Sequence, residues 1–185
     1  MFDARTNAFL ARWRVPLGFA FGVVVFWLAA PTRTTLASGA AIAGLGEGIR
    51  MWAAGHLRKS REVTSSGPYR WTAHPLYAGS SVIGVGLAVA CASLPVAILI
   101  AAYLAVALPA AARHEGAYLR ETFGDRYDRY RSGSATPGEE AVGSPIEDEP
   151  RRFSFARAMK NREYRAVVGL LLAVLLLALK ARANV

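Results

Sequence analysis

The chain alternates long apolar runs with short, strongly basic stretches. Between Arg14 and Arg33 lie 18 residues without a charge. Thr34 to Leu57 is also apolar and interrupted only by Glu47 and Arg50. Trp71 to Ala112 holds no Asp, Glu, Lys or Arg at all. A bilayer core takes about 20 residues of helix, so this last run is too long for one span. It divides into two, at roughly 76–93 and 95–112, with a reversal at Ser93-Leu94-Pro95. A shorter apolar block, Ala166 to Leu179, stands between Arg165 and Lys180. Snorkelling of its flanking cations extends it to membrane length. The pattern predicts an all-α, polytopic membrane bundle of about five transmembrane helices. The first run is read as a retained span rather than a cleaved leader, because no small-residue cleavage site follows it.

Within the second span, Glu47 and Arg50 are three residues apart and share a helical face. That spacing reads as an intramembrane ion pair. Around them the span is rich in glycine and alanine, which allow helices to approach closely in a membrane. Its "GLGEG" is no dinucleotide fingerprint, since no strand precedes it. After the fourth span, Glu115, Leu119, Phe123, Tyr127 and Tyr130 recur every three or four residues. They predict an amphipathic helix at the cytoplasmic headgroups, with a carboxylate heading the apolar stripe.

Charge fixes the orientation. The net formal charge of +9 is carried mainly by arginine, and hydrophobic residues make up 54% of 185 residues. Arginines cluster in the leader, in the loop after the second span and after the fourth span. Those three regions fall on one side, so the N-terminus is expected in the cytoplasm. Such charge meets anionic headgroups, and no nucleic-acid signature accompanies it. The expected organisation is a membrane core at 1–131, a flexible acidic linker at 132–150 and a basic segment with the C-terminal hydrophobic helix at 151–185. The linker holds five acidic residues and three prolines and no aromatic. Cys91 is the single cysteine, and no Cys/His cluster points to a metal.

This topology puts "GPYRWTAHPLYAG" (67–79) opposite the segment that begins at Arg113. Together, "REVTSSGPYRWTAHPLYAG" and the later E-x-x-x-L-x-x-x-F-G-x-x-Y-x-x-Y resemble the isoprenylcysteine carboxyl methyltransferases and their phospholipid methyltransferase relatives. The resemblance covers about residues 45–131. It implies an integral membrane methyltransferase that uses S-adenosyl-L-methionine at the cytoplasmic face and a lipid-linked or membrane-dissolved substrate from the bilayer. By position, Arg61, Glu62, Val63, Thr64, Tyr69, His74, Pro75, Leu76, Tyr77 and Glu115 are implied to line the cofactor site. His74, Glu115 and Arg113 are implied to serve catalysis, with Arg113 toward the substrate. Three departures stand out. The family's Arg-His-Pro is Ala73-His74-Pro75, the second residue of its glutamate pair is Gly116, and an arginine expected four residues before Glu115 is Ala111.

The chemistry leaves the methyl acceptor open. A carboxylate needs only a cation to hold it, whereas an amine must first lose a proton to a base such as His74, His114 or Glu115. Two other classes fit the helical pattern: an NADPH-dependent sterol or enone reductase, and a non-catalytic membrane protein on the same scaffold. His56 and His114 read as interfacial residues.

Overall fold

The computed structural model describes residues 20–58, 64, 66–132 and 152–183. All regular structure among them is helical. The helices are α1 (20–28), α2 (Arg33–His56), α3 (Pro75–Cys91), α4 (Leu94–Phe123), α5 (Asp125–Arg131), α6 (Phe155–Lys160) and α7 (Tyr164–Ala183), with one 3-10 turn at Gly67–Arg70. Two of them, α4 and α7, are long and apolar enough to cross a membrane. The helix α3 is apolar but has 17 residues.

The α2 helix starts at a reciprocal cap, in which Thr32 accepts from the Thr35 backbone N–H and Thr35 accepts from that of Thr32. This satisfies two donors that the first helical turn would otherwise leave orphaned. It then packs along α3 through small residues. A Cβ added to Gly46 would lie 2.7 Å from the Gly79 carbonyl oxygen, and one at Gly39 would run into Ala90 and Gly86. The two helices therefore meet backbone to backbone, as the run of small residues leads one to expect.

At one end of the bundle, α3 reverses into α4 through Ala92, in a left-handed conformation, and Ser93. The Cys91 carbonyl accepts from Ala30 there, and Ala29, Ala90, Cys91, Val96, Ile100 and Leu177 form an apolar core. Lys180 closes this end by donating to the Phe26 and Trp27 carbonyls, at 2.6 and 2.9 Å. The opposite end carries the 3-10 turn at Gly67–Arg70 with the residues leading into α3, the last turns of α4, α5 and α6.

The segment after the reversal differs in shape from the expected span-then-surface-helix arrangement. The α4 helix runs unbroken for 30 residues, about 45 Å at 1.5 Å per residue. The spacing that predicted a separate amphipathic helix is instead the continuation of the span, as far as Phe123. Gly124, at φ 53°, ends it. α5 then folds back so that Tyr127 is buried against Gly116, where an added Cβ would sit 3.0 Å from the Tyr127 hydroxyl.

The C-terminal unit is tied to the end of α2. Asn161 donates to the Ala54 and Leu57 carbonyls at 2.8 and 2.9 Å, and Arg157 donates to Gly55 at 2.9 Å. Phe153 packs against the His56 ring. α7 then runs back along the bundle.

Candidate active site

The site grows from the loop between α2 and α3. Gly67 takes φ 59°, a conformation only glycine adopts without strain. Its α-carbon faces the His56 ring so closely that a Cβ would lie 2.6 Å from Nδ1. His56 is buried beneath the loop, and its Nδ1 is 3.0 Å from the Trp52 carbonyl. It was expected at the interface; it serves instead as the floor on which the Gly67-Pro68 turn rests. Tyr69 and Pro68 are buried behind it.

His74 then caps α3, with Pro75 at the first helical position. Proline suits that position because the first turn needs no N–H from it, and it pushes His74 out of helical geometry. The His74 backbone N–H donates to Thr72 Oγ1 at 3.3 Å. The imidazole is thereby aimed across the mouth of the bundle at Glu115. The His74 Nδ1–Glu115 Oε2 distance is 3.6 Å, and Nδ1 is buried with no hydrogen-bond partner among the described residues. Tyr77, one turn into α3, stacks obliquely near His74 with ring centroids 5.4 Å apart. Its hydroxyl lies beside the Glu115 carboxylate. Two motifs about forty residues apart in sequence thus converge on one carboxylate.

The other implied site residues are placed as follows. Thr64 is buried, and its hydroxyl accepts from the Arg58 N–H. Pro75 is fully buried, and the Leu76 carbonyl accepts from Ser80. Arg61, Glu62 and Val63 lie outside the described residues. Arg113 is exposed, and two residues of helix put it about 200° around α4 from Glu115. The structure does not bring it to the His74–Glu115 pair.

Beneath this mouth lies a cavity of about 910 Å³, walled by α1, α2, α3, α4 and α7. It is apolar along most of its length. Its polar end is formed by Glu47, Arg50 and Ser80, and Ala111, one turn before Glu115, lines it too. Arg50 is the hub of that end. It donates to Ser80 Oγ at 2.5 Å and lies 2.7 Å from Glu163 Oε1, but only 3.8 Å from Glu47. The pairing of Glu47 with Arg50 foreseen from their spacing is therefore the looser contact. The closer partner, Glu163, comes from the turn before α7. No local spacing reveals a residue so distant in the chain.

Three comparisons place these features. The model of the phospholipid methyltransferase family matches residues 17–126, which spans the His74 loop, Glu115 and four of the five cavity walls. A curated relative, the nickel-cobalt-cadmium resistance protein NccN of Alcaligenes xylosoxydans xylosoxydans, is 34% identical over 106 residues, covering 56% of this chain and 48% of its own. The chain thus spans about half the length of that relative. No solved structure matches.

Proposed function

The chain belongs to the phospholipid methyltransferase family, and from that premise we propose that it is an integral membrane methyltransferase. It uses S-adenosyl-L-methionine and methylates a lipid-linked or membrane-dissolved acceptor. The observation that carries this reading is the approach of His74 to Glu115, with Tyr77 beside them, about one helical turn beyond the cavity-lining residues Ser80 and Ala111.

The residues suit the cofactor. Its amino-acid end presents an ammonium and a carboxylate. Glu115 would hold the first by a charge-assisted hydrogen bond, and the unpartnered Nδ1 of His74 is free to donate to the second. Tyr77 orients the Glu115 carboxylate, and the Gly67-Pro68 turn with Tyr69 shapes the loop around the remainder. Arg61, Glu62, Val63, Thr64, Pro75 and Leu76 complete the proposed binding segment. When bound, the cofactor supplies an electrophilic methyl group on sulfur. The acceptor's lone pair forms the new bond to that carbon while the C–S pair returns to sulfur.

The protein's own work is to hold the acceptor in line and to exclude water. The apolar walls hold the lipid chain, and the mouth holds the polar partner. Glu115 lies 21 residues beyond Leu94, about 32 Å along α4. That is near the far edge of a hydrocarbon core about 30 Å thick, where a soluble cofactor and a lipid can meet. Arg113 can reach an acceptor headgroup only from the outer face of α4. The cytoplasm is the side proposed for this mouth, from the arginine bias.

The test is calorimetric titration of the detergent-purified protein with S-adenosylhomocysteine, with NADPH alongside. Micromolar binding of the former is expected. Glu115→Gln and His74→Ala should each weaken it by about tenfold or more, the worth of a charged hydrogen bond. A preference for NADPH would replace this reading with a reductase. Unchanged affinity in Glu115→Gln would remove that residue from the cofactor site.

A further inference from the structure

The turn that leads to His74 is supported by a part of the chain outside the family match. That match ends at residue 126, and the C-terminal unit lies beyond it. The last carbonyls of α2 have no partner within their own helix. The C-terminal unit supplies partners. Asn161 donates to Ala54 and Leu57, and the Gly55 carbonyl accepts from the Ser154 N–H at 3.1 Å and from Arg157 at 2.9 Å. The same unit reaches α3, since Glu163 lies 2.7 Å from Arg50 and Arg50 donates to Ser80. It thus braces both helices between which the turn is strung.

One side chain carries this support to the turn. The Phe153 ring lies over Gly55 so closely that a Cβ there would overlap it, and its centroid is 6.1 Å from that of His56. His56 in turn lies under Gly67 and leaves no room for a Cβ there. Gly67 begins the 3-10 turn that leads through Trp71 to His74, and Trp71 packs against Trp52, one turn before His56.

We propose that Phe153 is a positioning residue for the cofactor loop: through His56, it holds the Gly67–Arg70 turn in the conformation that sets His74 opposite Glu115. The inference rests on the methyltransferase reading only for the identity of what the turn holds. A loop fixed in its binding conformation before the ligand arrives costs less to order on binding. Without the brace that conformation becomes one of several, and apparent affinity falls in proportion to its population.

The experiment measures S-adenosylhomocysteine affinity and backbone hydrogen exchange on the full chain in detergent, below the unfolding temperature of each variant. Phe153 is 47% exposed, so its truncation takes little apolar surface from the core. Phe153→Ala should weaken binding about tenfold, as when the competent fraction falls to about one tenth. It should also speed exchange of the Tyr69, Trp71 and Thr72 N–H groups, which bond within the turn. Exchange along the α2–α3 seam should not change, and saturating S-adenosylhomocysteine should restore slow exchange in the turn. Gly55→Ala is the second test, with the ring retained. Its methyl displaces Phe153 from α2 and should reproduce both effects. In the Phe153→Ala background the same methyl has no ring to displace and should add no further loss.

Unchanged exchange of the turn in both single variants would overturn the proposal. So would acceleration of the turn together with the whole bundle, or additive losses in the double variant. Tight binding by the wild type with unchanged affinity in Phe153→Ala sinks this inference alone. A wild type that binds no S-adenosylhomocysteine sinks the methyltransferase reading alone, and the exchange comparison then decides the brace by itself.

Discussion

The two halves of the bundle are built on opposite rules. Along α2 and α3 the backbones come into direct contact at Gly39, Gly46 and Gly86, and at Gly79 the stem of Arg50 shares the contact. Along α4 and α7 long side chains such as Ile100, Leu104 and Leu170 face a void. In the first half, dispersion contacts between rigid backbones fix the relative position of two helices. In the second, flexible side chains can take up the shape of whatever enters. The site needs both. His74 opens α3 and inherits its fixed position from the glycine seam, while Glu115 sits on the helix that borders the cavity. A stiff half carries the loop, and an adaptable half carries the acceptor.

The sharpest way to break this contrast is to add the same side chain to each kind of glycine. At Gly39 a Cβ collides with the backbone of α3, so Gly39→Leu must force the helices apart. A loss of stability above about 3 kcal/mol is expected, beyond ordinary overpacking because backbone cannot repack. Gly44 lies on the same helix with nothing within 4 Å of an added Cβ. Gly44→Leu should not destabilise, and its gain in helix propensity should stabilise by up to about 0.8 kcal/mol. Thermal unfolding of the two variants in the same detergent decides it. Similar melting points would mean that the seam is not what holds α2 to α3.

A smaller effect is expected at the strap that brings the C-terminal unit to α2. Asn161 makes two hydrogen bonds to carbonyls at the α2 terminus. Asn161→Ala leaves those carbonyls without it, at about 1–2 kcal/mol. The loss should be local, with faster hydrogen exchange in α6 and the turn to α7 and little change in α2 and α3. Uniform acceleration throughout the bundle would show that the unit is part of one cooperative core rather than a wall fastened onto it.

The sequence revealed the first half of this contrast far better than the second. The bounds of α2 and the reversal near Ser93 follow from where charges stop and small residues gather, both local signals. The meeting of His74 and Glu115 was also legible, because charge counting put their segments on one face of the membrane and two motifs pointed to them. What escaped was whatever depended on continuity or on distant partners. Hydropathy marks the end of a span by its charges, yet a helix needs no apolar residue to continue past Ala112. Its real terminus is set by Gly124. Glu47 and Arg50 were paired by spacing, but the nearer carboxylate, Glu163, is fixed by Asn161 and Arg157 in the C-terminal unit. His56 read as an interfacial residue because nothing local shows that Gly67 will close over it.

The last test concerns the departure at Gly116, where the family pattern has a second glutamate. The helix runs through this position, and an interior glycine costs about 0.8–1.0 kcal/mol relative to alanine. The structure gives a reason to keep it, since the space for a side chain is held by the Tyr127 hydroxyl, 3.0 Å from where a Cβ would stand. That distance is tight rather than prohibitive, so the neighbour decides the sign. In the native background the gain in helix propensity should be cancelled by the crowding, and Gly116→Ala should be close to neutral. With the oxygen removed by Tyr127→Phe, the same substitution should stabilise by about 0.5–1 kcal/mol, as the propensity gain is no longer opposed. Melting curves of the four proteins in the cycle measure that coupling. Additive effects would show that Tyr127 does not occupy the missing glutamate's place. Positive coupling would tie the departure at Gly116 to the bend at Gly124, since it is that bend which folds α5, and Tyr127 with it, back onto α4.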